Sequence, residues 1–86
     1  LEDDMDASQI TKTIAEAERE AGKASNAQLA SKASMETLNG RVVKWQAELD
    51  QATAAVKDGE SIDRVGSAAF SLALAKRQVA FAKATR

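Results

Sequence analysis

Eighty-six residues without proline, cysteine or histidine, with four glycines and nineteen alanines, make one small domain at most. The missing thiol and imidazole exclude disulfides and thiolate nucleophiles, and remove the commonest general base and metal ligand. Charge is nearly balanced but unevenly placed: residues 1–63 hold all thirteen acids with seven bases, and residues 64–86 hold five bases and no acid.

Strands want β-branched and aromatic residues, and their turns want Gly and Pro, whereas abundant Ala with Glu, Lys, Gln and Leu is the composition of long helices. The fold class is therefore all-α. In chain order, residues 1–7, with Glu2, Asp3, Asp4 and Asp6, read as an acidic flexible N-terminus, opposite in charge to the basic start of a secretory signal. No uncharged run approaches the roughly 20 residues that cross a bilayer. A soluble chain is the expectation, its compartment left open with the cytoplasm favoured.

Residues 8–86 read as a single helical domain, with helices near 8–22, 27–57 and 61–84. Alternating steps of four and three residues from Ile10 meet Ile14, Ala17, Ala21, Ala24, Gln28, Ser31, Met35, Leu38, Val42, Trp45, Leu49, Ala52 and Val56. Only Gln28 and Ser31 are polar, so this coiled-coil-like seven-residue repeat keeps one seam toward a neighbouring helix. The seam is bulky from Met35 to Val56 and small or polar from Ala17 to Ser31, where Gly22, Ser25 and Asn26 also weaken a helix. Either one long helix has a thin middle or the chain turns near 22–26. Asn39-Gly40 is another possible break, but the register runs through it, and it is read as helix.

The stretch VKDGESIDR carries the clearest turn, at 58–60. Gly59 suits the left-handed position after a helix, Ser61 suits the next cap, and Asp63 suits the first turn. At 1.5 Å per residue the last helix is about 37 Å long, and a helix from Ile10 to Lys57 would be about 72 Å. The last helix therefore covers only residues 33–57, and the expected arrangement is an antiparallel helical hairpin of 33–57 against 62–86. Its seam would be Met35, Leu38, Val42, Trp45, Leu49, Val56, Ile62, Val65, Leu72 and Val79. An N-terminal helix would either pack back to make a three-helix bundle or project from an oligomeric hairpin.

A second face of the last helix reads Phe70, Leu74, Arg77 and Phe81. An edge helix needs one apolar stripe, so two stripes call for two neighbours. These four residues are the expected partner interface, covered by the N-terminal helix or by another chain.

Catalytic, cofactor and metal sites are not expected. Glu16, Glu18 and Glu20 read as a solvated acidic face, since helical di-metal sites add a Glu-x-x-His element. Asp58, Glu60, Ser61 and Asp63 lack the twelve-residue calcium frame and read as turn and capping chemistry. No phosphate loop, nucleophile elbow or zinc spacing occurs, so no enzyme, cofactor or small-molecule substrate is expected. Lys76, Arg77, Lys83 and Arg86 offer a basic end for nucleic acid or, beside the phenylalanines, for a membrane surface. The acidic pI near 5.4 places both readings second. The leading expectation is a non-enzymatic protein–protein interaction module that self-associates or binds a helical partner, as an assembly subunit or a chaperone- or scaffold-like protein. In size and outline it resembles the short helical hairpins of bacterial secretion apparatus, both filament subunits and small co-chaperones. That resemblance covers architecture alone; the proline-bearing turn usual in needle subunits is missing, and no residue roles carry over.

Overall fold

The structure, a computed structural model, describes residues 2–86, with side chains from Ala7 onward. Four helices pack together: α1 spans Glu2–Ala21, α2 Asn26–Leu29, α3 Met35–Lys57 and α4 Asp63–Thr85. Among the described residues there is no strand. The particle measures 48 × 22 × 15 Å.

Local chemistry sets the helix ends. Ser34 caps α3 by accepting the Thr37 N–H at 3.1 Å, and Glu36 and Lys57 stand at the ends that the helix dipole favours. After α3 the chain closes a Schellman turn: Glu60 N–H reaches Ala55 O at 3.0 Å, and Gly59 N–H reaches Val56 O at 2.9 Å. Gly59 has φ +100°, a conformation that a Cβ would oppose. Ser61 Oγ accepts the Asp63 N–H at 3.2 Å as α4 begins.

Helix α4 is the shared element. It packs against α3 on one side and against α1 on another, with α2 near its end, while α1 barely touches α3. Contacts run in opposite senses along α3 and α4. Leu38 meets Val79 and Ala82 in one apolar cluster, and Leu49 and Ala52 meet Val65, Ala68, Ala69 and Leu72 in the other. Ile10 and Ala17 of α1 join the second cluster, with Ile14, Trp45, Val56 and Ile62 packed on it. Val42 touches both clusters, and Met35 rests on the first. Leu38 and Val65 are the largest fully buried side chains. Burying a Leu or Val contributes about 1.5–3 kcal/mol, so each of these two is a substantial part of the core's stability.

Two expectations about the first half need correction. The helix expected over 27–57 is broken: α2 stops at Leu29, and residues 30–34 are not helical. The seven-residue repeat consequently does not run on through the middle of the chain. Serine chemistry explains the break. Ser31 Oγ accepts the Ala33 N–H at 3.1 Å and Ser34 Oγ caps α3, so both hydroxyls compete for backbone groups that a helix would use. Ser25 and Gln28 close a capping box on α2, which makes Gln28 a cap partner and not a seam residue. Leu29, off the predicted seam, is buried instead at 5% exposure. At the other end, α1 begins at Glu2 and not near residue 8. The expected flexibility of the acidic start falls on residues 1–7, where Leu1 and the side chains of residues 2–6 lie outside the described residues.

Candidate interaction surface on the fourth helix

Small residues on α4 let α1 approach closely. A Cβ placed on Gly66 would stand 3.4 Å from Thr13 Cγ2, at ordinary contact distance. Farther along, Glu20, Ala24 and Gln28 line one depression with Phe70 and Leu74. Leu29 shares another with Arg77, Ala80 and Phe81. Helix α1 therefore runs in the same direction as α4, and α2 covers the end of the same face.

The four residues expected to contact a partner thus fall into different settings. Leu74, Arg77 and Phe81 are half-buried beside α1 and α2, whereas Phe70 stays 39% exposed. Phe70 borders a surface pocket of about 480 Å³ with Thr13, Glu16, Ala17 and Glu20 on its far wall. Arg77 turns inward: its Nη1 would lie 3.7 Å from a Cβ on Gly22, at the C-terminal end of α1, where a cation suits the helix dipole. Its Nε is buried without a hydrogen-bond partner.

Because α1 and α3 scarcely meet, a groove of about 350 Å³ lies between them over α4. Ala69, Leu72 and Ala73 form its floor with Ile14 and Leu49, and Glu18, Lys76 and Arg77 supply its polar edges. On the outer side of α3, Val43 is 70% exposed, and Gly40, Ala47 and Ala54 are exposed on the same side. Sequence reasoning missed this stripe because it followed the bulkier seam. The signal was present, since 40, 47 and 54 repeat at intervals of seven.

The charged groups are spread over the surface. Glu20 pairs with Lys23 at 3.1 Å, and Glu16 and Glu18 are exposed. Arg64 bridges Glu48 at 2.9 Å and Glu60 at 3.6 Å. The hydrogen bond to Glu48, then that carboxylate's charge, holds the Arg64 guanidinium above its ordinary pKa. Arg86 donates to the carbonyls of Ser31 and Ala33 at 2.6 and 2.8 Å, tying the end of α4 to the 30–34 connector. Among the described residues, no group of three or more carboxylates is placed to hold a metal, and no helix is long and apolar enough to cross a membrane. No family model matches the chain, and comparison with curated proteins and with solved structures gives no significant match.

Proposed function

We propose that this chain is a non-enzymatic interaction module, an antiparallel α3–α4 hairpin carrying α1 as a third helix, that works by helix packing with a second copy or with a helical partner. The observation that carries this reading is the state of α4. Its apolar surface is larger than α1 and α3 together cover, leaving Phe70 exposed and an apolar-floored groove open between them. Exposed aromatic and aliphatic surface of this kind favours association over solvation. Two of the four cations that could form a basic end are engaged within the chain, Arg86 on the connector carbonyls and Arg77 against α1. Lys76 and Lys83 alone make a poor footprint for a phosphate backbone or an anionic surface, which ranks nucleic acid and membrane second.

The test is molar mass by light scattering over a wide concentration range, for the wild type and for Phe70→Asp and Leu74→Asp. The expected result is a mass that rises with wild-type concentration and stays at one chain in both variants, with much of the helicity retained. Variants that keep wild-type assembly and wild-type thermal stability would overturn the reading. Binding to DNA or RNA that survives moderate salt would replace it with the nucleic-acid alternative.

A further inference from the structure

We propose that the second copy is engaged by exchange of α1, residues 22–34 straightening so that α1, α2 and α3 run as one helix and each α1 packs on the α4 of the other chain. This rests on the reading above only in that the chain associates with itself. The exchange restores the α1–α4 contacts of one chain and leaves Phe70 exposed, so Phe70→Asp should not prevent it.

Three observations meet in it. The first is register. The stripe Ile10, Ile14, Ala17, Ala21 continues in steps of four and three through Ala24, Gln28 and Ser31 to Met35 and Leu38, although the chain is bent between them. The connector contains no proline and a single glycine, so every amide in it could enter a helical ladder. The second is what holds the bend: the Ser25–Gln28 capping box, the Ser31 and Ser34 hydroxyls, the buried Leu29 and the Arg86 clamp. Apart from Leu29 these are solvent-exposed or partly exposed hydrogen bonds, each contributing about 0.5–1.5 kcal/mol, and a continuous helix would return backbone bonds in their place.

The third is topology. Within one chain α1 runs parallel to α4, and α3 runs antiparallel to it, so α1 and α3 are antiparallel. Since α1 leans on α4 and hardly on α3, detaching it leaves the α3–α4 contacts standing. Straightened, α1 projects past the connector end of its own α4. A second copy turned end over end offers an α4 running in the same direction as that projecting helix, the sense found within one chain. Both exchanges are made at once by a two-fold axis across the helices, an isologous pairing in which every α1–α4 contact is regained.

The experiment uses the full chain with Thr13→Cys and Gly66→Cys, positions whose closeness would let a disulfide report which α4 holds each α1. A second form adds Gly22→Ala, Ser25→Ala and Ser34→Ala, which raise helix propensity in the connector and remove its caps. Both are refolded from denaturant at high concentration, oxidised, and examined by light scattering and non-reducing electrophoresis. The expected result is a share of two-chain species with between-chain cross-links already in the first form, rising with concentration, and a larger share at every concentration once the connector is substituted. The scattering envelope should also lengthen well beyond 48 Å. A dimer whose cross-links stay within chains would overturn exchange while leaving the association reading intact. A single-chain mass for both forms at every concentration would overturn both.

Discussion

Gly40 sits in the interior of α3 with nothing within 4 Å of where its Cβ would be, and it is exposed. Gly40→Ala therefore adds a methyl group to open space, with neither clash nor burial to complicate the sum. What remains is backbone entropy and helix propensity, about 0.8–1 kcal/mol in favour of Ala. For a domain of this size that corresponds to a thermal midpoint raised by roughly 4–8 °C. Gly59→Ala is the same chemical change with the opposite sign. At φ +100° its Cβ meets the following carbonyl, costing on the order of 1–2 kcal/mol, so the midpoint should fall. Both variants should be melted by heat and by urea at low protein concentration and followed by Trp45 fluorescence, which watches the α3–α4 pair, with an unchanged m-value showing that only stability has moved. A Gly40→Ala variant no more stable than the wild type would refute the assignment of 35–57 as an uninterrupted helix with a free outer face.

Other outcomes follow from the same geometry. Leu38→Ala, at 1% exposure, should cost roughly 3–4 kcal/mol by urea melting, a large part of the about 4–13 kcal/mol that such a domain has in total. Arg86→Ala removes two charge-assisted bonds from the connector. The amides of Leu29, Ala30 and Ala33 should then exchange with solvent about fivefold faster, corresponding to about 1 kcal/mol, while those of α3 are unaffected. The thermal midpoint should be flat between about pH 6 and 9, because the chain has no His or Cys, whose ordinary titrations fall there. The raised pKa of Arg64 does not change that expectation: its contribution is complete below the unfolded value and is lost only as pH rises through the still higher folded one.

The class of the fold was legible because alanine content and the absence of proline speak to every residue of the chain at once. The turn after α3 was legible because Gly59 has a conformational reason to be glycine that the neighbouring Val56 and Ser61 frame. The middle was not. From Ala17 to Ser31 the repeat is built of small residues, whose burial contributes little, so exposed serine hydrogen bonds suffice to overrule it. The clue was Leu29, the one large apolar side chain in that stretch and out of phase with the seam, which the bend buries. On the candidate surface, counting stripes on α4 pointed to Phe70, Leu74 and Phe81, but it could not divide them between α1, α2 and solvent. Arg77 was placed among them by position alone, and the close approach of α1 at Gly22 explains why it turns inward.

The position of α4 between two helices that meet each other only slightly also bears on how the chain loses its structure. A cooperative unit needs its parts to support one another, and here α1 and α3 do so chiefly through α4. Loosening should therefore proceed in stages, with α1 leaving first and the α3–α4 pair persisting to higher denaturant. Trp45, the single tryptophan, lies on α3 with the Lys44 ammonium 5.4 Å from its ring centre. Its fluorescence belongs to the late stage, so an optical melt that watches Trp45 should lag behind one that counts helical residues across the whole chain.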